Sequence, residues 1–143
     1  MSLQRPQLSA AAPPRLSLRR LWWTVGWMMV AFVLVSTLEP PRYVPNLHLW
    51  DKLEHALAFF GLTLWFSGLV RLRRFAWLSL WMLVLGGGIE IAQGTMGWGR
   101  DMDIHDFYAD AIGVAIALAL ALGGLHRGPR MVERTLGFSG ERS

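Results

Sequence analysis

The sequence contains no cysteine, and only 17% of its 143 residues are charged. The absence of cysteine excludes a disulfide, a thiolate nucleophile and any metal site that requires a thiolate ligand. The low charge accompanies 53% hydrophobic residues, a composition atypical of a soluble domain. Because the hydrophobic residues fall into four blocks separated by short charged segments, the sequence predicts a small polytopic membrane protein.

Each apolar block is long enough to cross a bilayer as a helix at a rise of ~1.5 Å per residue. The residues between the blocks include prolines and arginines, which end a helix or stay in water. The predicted fold is all-α, a polytopic membrane protein with four transmembrane helices at about residues 21–38, 53–70, 75–94 and 107–125. Residues 1–20 are expected to form a disordered N-terminal tail and residues 126–143 a C-terminal tail.

The distribution of lysine and arginine predicts the orientation of the helices. With an inside amino terminus, eleven of the 14 Lys and Arg residues lie on one side, and the other side holds only Arg42, Lys52 and Arg100. Because cytoplasmic loops carry the excess of positive charge, both termini are expected to be cytoplasmic, in a bacterial plasma membrane. The net charge of +4 is thereby explained by topology and does not indicate a nucleic-acid partner.

Unusual polar residues converge at the outer ends of the second, third and fourth segments. An ionisable side chain at membrane depth costs roughly 2.5 to 3.5 kcal/mol on insertion scales, so each is a candidate functional residue. Spacings of three and four place several of them on one helical face. The predicted polar cluster comprises Asp51, Lys52, His55, Glu90, Gln93, Arg100, Asp103, Asp106 and Asp110.

The fourth segment also carries a stripe of small residues below its acids. Gly113, Ala117 and Ala121 recur every four residues, which predicts close approach of another helix. Asp110 lies three residues before Gly113, on the same face. The acidic stripe is therefore expected to point into the bundle.

Glu90 is the acid that ordinary helix chemistry explains least. Asp51, Asp103 and Asp106 stand where acids cap a helix or favour its first turn. Glu90 lies in the C-terminal half of its segment, where the helix dipole disfavours a negative charge. It is expected to face a proton or a cation such as Lys52, Arg100 or His55. A structural ion-pair network and a ligand site remain open alternatives.

Acids outnumber basic residues in this outer layer, so the carboxylates cannot all form ion pairs. Protonation, a divalent cation or a cationic ligand could balance the excess. Hard oxygen ligands without cysteine would suit Mg²⁺ or Ca²⁺ as a cofactor, although the pattern assigns no residue as a metal ligand.

Three motifs resemble those of the VanZ-like family of small bacterial membrane proteins, whose namesake is associated with resistance to the glycopeptide teicoplanin. The first is Asp51-Lys52-x-x-His55, the second is Glu90-x-x-Gln93, and the third is Arg100-x-x-Asp103-x-x-Asp106 with Gly113. They cover about half of the chain in the expected order. Asp110 departs from the family pattern, which usually has Asn at this position. The resemblance implies a cell-envelope location and a four-helix membrane domain over residues 21–125.

Three functional hypotheses follow from these residues. In the first, an outward-facing polar pocket binds an envelope or glycopeptide-like ligand and affects antibiotic susceptibility. In the second, the protein is an enzyme acting on a lipid-linked or phosphorylated envelope substrate, with His55, Glu90 and Asp106 as catalytic candidates. A proton carrier using Glu90 and Asp110 is disfavoured, since the inner two-thirds of the helices contain no acid. Beyond the bilayer and such a ligand, the sequence predicts no partner or oligomeric state.

Overall fold

The computed structural model describes residues 17–39, 48–97 and 101–127, with Val132 and Thr135. Within these residues the chain is helical and has no strand, which confirms the all-α class. Two short 3₁₀ turns follow the second and fourth helices. The four long helices are α1 (Ser17–Leu38), α2 (His48–Leu69), α3 (Phe75–Met96) and α4 (Ile104–Leu122).

Three helical stretches are long and apolar enough to cross a membrane: Leu18–Leu38, Leu72–Met96 and Ile104–Leu122. They confirm the prediction of transmembrane helices. The remaining long helix, α2, is as long as α1, at 22 residues. Its first two turns, however, contain the charged residues Asp51, Lys52 and Glu54. A fourth span at α2 and the orientation of the termini stay predictions.

The helices extend beyond the apolar blocks where the local sequence favours helix. α1 includes Arg19 and Arg20, because charged residues of good helix propensity can extend a helix past its apolar part. α4 begins at Ile104, since the side chain of Asp103 accepts the backbone N–H of His105 at 2.8 Å and so caps the helix. α3 ends before Gly97, whose φ of 64° is left-handed and suits glycine.

Successive helices run in opposite directions, because the end of each lies beside the start of its neighbour. The most extensive contacts in the bundle are made by α2. α2 contacts each of the other three helices and packs most extensively against α4. Its Phe59 and Leu62 are fully buried. Gly113 of α4 faces the backbone carbonyl of Ala56 so closely that a Cβ at this position would overlap it. The predicted seam of small residues on α4 is thus the contact with α2.

The outer surface of the bundle is rich in large apolar side chains. On α1, Phe32 is 73% exposed, and on α3 Trp81 is 68% exposed. Tyr108 and Ile112 give α4 a similar exposed face. Apolar surface of this extent is unfavourable in water and is the expected outer surface of a membrane bundle. The exposed faces therefore agree with association with a lipid bilayer.

Candidate functional site

One end of the bundle brings together the polar residues of three helices. The beginnings of α2 and α4 meet the last turns of α3 there, because the helices alternate in direction. We call the four most buried ionisable residues at this end the buried polar cluster. They are 6% exposed or less and comprise His55, Glu90, Asp106 and Asp110.

His55 of α2 and Asp110 of α4 form a pair in the interior of the bundle. His55 Nδ1 lies 3.0 Å from Asp110 Oδ1, and the two side chains are 3% and 0% exposed. The second oxygen of Asp110, Oδ2, is buried and has no hydrogen-bond partner among the described residues. Burying a carboxylate oxygen without a partner is costly, so this oxygen marks a position where a proton or a ligand would be stabilised.

Glu90 of α3 points toward the start of α4. Its Oε2 accepts the backbone N–H of Asp103 at 2.9 Å. Its Oε1 is buried without a hydrogen-bond partner in the described part of the chain. The sequence pattern indicated a cationic side chain or a proton for this residue, and it gave no sign of this backbone donor. The bond joins the end of α3 to the residue that caps α4.

Lys52 of α2 binds two acids at the start of α4: Asp103, which caps the helix, and Asp106, which lies in its first turn. Its Nζ donates to Asp103 Oδ2 at 2.9 Å and to Asp106 Oδ1 at 3.0 Å. The Lys52 side chain is 33% exposed, so this network lies at the surface of the cluster. Asp103 and Asp106 therefore share the single positive charge of Lys52, and Glu90 depends on other contacts.

Asp103 lies outside the apolar spans, and its pKa is lowered well below the ordinary range. The largest cause is the hydrogen bond from the backbone N–H of His105, followed by the bonds from Lys52 and from the His105 ring, whose Nδ1 lies 2.7 Å away. All three favour the ionised carboxylate. Asp103 is thus an anion that holds Lys52 and the first turn of α4.

The remaining predicted residues have different positions. Gln93 Nε2 donates to the carbonyl of Thr37 at 2.8 Å and so joins α3 to the last turn of α1. Asp51 is partly exposed beside His55 and Asp106. Arg100 lies outside the described residues. Gln93 is thereby placed in a structural contact between helices, and Asp51 at the edge of the cluster.

A more accessible layer lies over the buried polar cluster, and we call it the rim. Its members are at least partly exposed and comprise Asp51, Lys52, Asp103 and His105. Glu54 is also exposed, but on the side of α2 that carries the exposed Trp50 and Leu57. The rim is the part of this end that a ligand would meet first, and the buried polar cluster lies beneath it.

Two groups within this end have the composition of a cation site. His55, Glu90 and Asp110 each offer one ligand atom within 4.8 Å of the others, and all three are buried. Asp51, His55 and Asp106 form a second such group, which shares His55 with the first. Imidazole nitrogen and carboxylate oxygen together are ligands for divalent metals.

An open groove lies elsewhere, along α1. It has a volume of about 920 Å³ and is open to the surface. Its lining combines two arginines with apolar and aromatic side chains, comprising Arg19, Arg20, Trp23, Thr24, Trp27, Met28 and Ala31. Every lining residue is on α1, so the groove is part of the apolar outer face and does not involve the polar cluster.

Gly86 is a residue of the site that the sequence pattern did not assign. It lies four residues before Glu90 on α3, and Asp110 Oδ2 approaches its Cα. A signal in the sequence is the Gly86-Gly87-Gly88 triplet beside Glu90, because glycines let another helix approach closely, although they do not identify the partner.

No protein-family model, curated protein or solved structure matches the chain.

Proposed function

We propose that this chain is a VanZ-like multi-pass protein of the bacterial plasma membrane. Its polar end binds an envelope or glycopeptide-like ligand and thereby alters antibiotic susceptibility. One observation carries the proposal: Glu90 and Asp110 each keep a buried carboxylate oxygen without a partner in the described residues, beneath an accessible rim. An unsatisfied buried polar group costs about 1–3 kcal/mol, which a bound ligand would offset.

The same observation favours a binding site over a structural ion-pair network. A network that only joined the helix ends would pair its acids with cations, as Lys52 pairs with Asp103 and Asp106. Glu90 receives a single backbone bond and leaves its other oxygen unused. This end of the bundle therefore contains more carboxylate groups than are required to join the helices.

The rim supplies the contact surface for a ligand larger than an ion. Lys52 and Asp103 are partly exposed there and joined by a 2.9 Å ion pair. Charged groups of a ligand could exchange with this pair, because exposed ion pairs contribute little stability. The buried polar cluster would then position the rim and set its charge.

The test is antibiotic susceptibility measured together with protein abundance in a glycopeptide-sensitive bacterial host. We expect the wild-type chain to change teicoplanin susceptibility, and Glu90→Gln and Asp106→Asn to abolish the change at normal abundance. Glu54→Gln is the matched control, because Glu54 is an exposed acid of α2 that points away from the cluster. Unchanged susceptibility with every variant at normal abundance would remove the cluster as a functional site.

A second candidate function is a membrane-embedded enzyme, favoured by the His55–Asp110 pair beside Glu90. A histidine held by a carboxylate is a suitable general base, and a second carboxyl group could act as the acid. Lys52 could bind the phosphate of a lipid-linked substrate. Comparison of lipid-linked and phosphorylated envelope precursors in cells with and without the protein tests this activity. Accumulation of one species without the protein supports the enzyme, and unchanged chemistry with altered susceptibility supports the binding protein.

A further inference from the structure

We propose that His55, Glu90 and Asp110 form a binding site for a divalent transition cation of the Zn²⁺ or Mn²⁺ class. Each residue brings one ligand atom within 4.8 Å of the other two, so small shifts of the side chains would let all three bind one ion at ~2.0–2.2 Å. The three side chains are 3%, 3% and 0% exposed. The inference rests on the proposed function only in treating this end of the bundle as a ligand site.

The unused carboxylate oxygens provide an independent indication of a ligand. Glu90 Oε1 and Asp110 Oδ2 are buried and have no partner in the described residues. Asp110 Oδ2 lies against Gly86, which is one helical turn before Glu90 on α3. The free oxygen of Asp110 is therefore on the side of α3 from which Glu90 projects, and both carboxylates reach the same part of the interior.

The charges in this group match those of a divalent ion. Two carboxylates and a neutral imidazole carry a total of two negative charges, which a divalent cation would neutralise. Lys52 does not compensate them, because its ammonium group binds Asp103 and Asp106. Buried charge is tolerated when it is paired or coordinates a metal, and two uncompensated carboxylates would repel each other.

The ligand set selects the class of ion. Ca²⁺ takes six to eight oxygen ligands, and Mg²⁺ usually keeps several waters, so neither fits a closed group containing imidazole. Imidazole suits Zn²⁺ and other transition cations, and three protein ligands leave a further position open. The acids alone indicated Mg²⁺ or Ca²⁺. Because the structure places the imidazole of His55 beside Glu90 and Asp110, it favours a transition cation instead.

The second group at this end, Asp51, His55 and Asp106, is the weaker cation site. Asp106 Oδ1 already accepts a hydrogen bond from Lys52 at 3.0 Å. The positive charge of Lys52 would repel a cation bound to Asp106. Substitution of Asp106 therefore separates the two groups experimentally.

The experiment uses the full-length chain purified in lipid nanodiscs and freed of metal with a chelator. Isothermal titration with ZnCl₂, MnCl₂ and MgCl₂, together with metal analysis of the dialysed protein, gives stoichiometry and affinity. We expect one Zn²⁺ or Mn²⁺ per chain and much weaker binding of Mg²⁺. Glu90→Gln, Asp110→Asn and His55→Gln should each weaken binding at least about tenfold, whereas Glu54→Gln should retain it and Asp106→Asn should weaken it less than these three.

Thermal unfolding distinguishes a variant that has lost the metal site from a variant that has lost its fold. Zn²⁺ should raise the unfolding temperature of the wild type and of Glu54→Gln but not that of folded Glu90→Gln. Absence of stoichiometric binding, equal binding of Mg²⁺, or loss of binding in Asp106→Asn alone would overturn the proposed site. Metal binding without an effect on susceptibility would contradict only the proposed function. Susceptibility that depends on Glu90 in a protein that binds no metal would contradict only the metal site.

Discussion

Asp110 Oδ2 occupies space that is available only because residue 86 is glycine. A Cβ on Gly86 would lie 2.6 Å from this oxygen, closer than real Cβ contacts allow. Asp110 is fully buried, and its other oxygen lies 3.0 Å from His55 Nδ1, so the carboxylate has little freedom to move. Gly86 and Asp110 therefore fix the distance between α3 and α4 at the polar end of the bundle.

Gly86→Ala is expected to destabilise the protein by about 1–3 kcal/mol, because the added methyl group must displace a packed carboxylate. Gly88→Ala is the matched control on the same helix, since no atom lies within 4 Å of a Cβ at that position. Alanine there should be neutral or stabilise by about 0.5–1 kcal/mol. Unfolding in detergent with increasing denaturant measures both changes. Equal stability of the two variants would show that Asp110 moves freely.

Gly113→Ala should be more damaging than Gly86→Ala. The atoms that a Cβ at Gly113 would meet are the carbonyl of Ala56 and the backbone nitrogen of Phe60, which belong to the α2 backbone. A helix backbone cannot yield without moving the whole α2–α4 contact, whereas a side chain can rotate. The fraction of folded protein recovered in detergent should fall below that of Gly86→Ala. A higher recovery of Gly113→Ala would contradict the close contact between α2 and α4.

The charge of Asp103 makes the stability of the start of α4 depend on pH. Its pKa in the folded protein is lowered by the backbone N–H of His105 and by Lys52, from about 4 in an unfolded chain. A lowered pKa contributes stability above the unfolded value, and this contribution is lost as pH falls through the folded value. Stability should therefore decline below about pH 4 by this mechanism.

Asp103→Asn provides the comparison for this pH dependence. Asparagine can still cap α4 but carries no charge to titrate. The difference in stability between wild type and Asp103→Asn should be constant near neutral pH and shrink below about pH 4. Thermal unfolding at a series of pH values measures it. A difference that grows with acid would contradict the paired, ionised state of Asp103.

The sequence predicted the helical architecture well because long apolar segments leave few alternatives in a bilayer. It also predicted that Asp110 and Gly113 share a buried face, since helical periodicity determines which residues lie together. It could not predict which acid Lys52 binds, because all the candidates lie at one depth and only the packed helices fix the distances. The sequence could not predict the hydrogen bond from the Asp103 backbone N–H to Glu90 for a further reason. Every residue except proline has a backbone N–H, so the residue type does not identify this donor.

The orientation and the fourth span remain predictions that fusions can test. Reporters after Arg74 and Arg130 should be active in the cytoplasm, and those after Pro45 and Gly97 should be exported. The reason is the concentration of eleven of the 14 Lys and Arg residues on one predicted side. Contacts between the end of one helix and the start of the next show alternating directions, which a chain that crosses four times would require. An exported reporter at Arg130 would contradict this topology, and equal location at Pro45 and Arg74 would show that α2 does not cross.

Substitutions of Glu90 separate its structural contact from its role in the site. Glu90→Ala removes the acceptor of the Asp103 N–H and leaves a gap, so it should destabilise by about 1–3 kcal/mol. Glu90→Gln retains an oxygen that can accept this bond, and it removes the charge. It should remain close to the wild type in stability, as measured by denaturant unfolding in detergent.

Glu90→Gln and Glu90→Ala should both lose the effect on antibiotic susceptibility, although they differ in stability. If the carboxylate is needed for a ligand, Glu90→Gln loses the effect on susceptibility at normal abundance, and Glu90→Ala loses it together with stability. If Glu90 only joins α3 to the cap of α4, Glu90→Gln keeps both stability and function, because the 2.9 Å bond to Asp103 can persist. Measurement of abundance and susceptibility for the same cells distinguishes these outcomes. A fully functional Glu90→Gln would therefore show that the free oxygen of Glu90 is a tolerated cost of packing and that the ligand binds elsewhere.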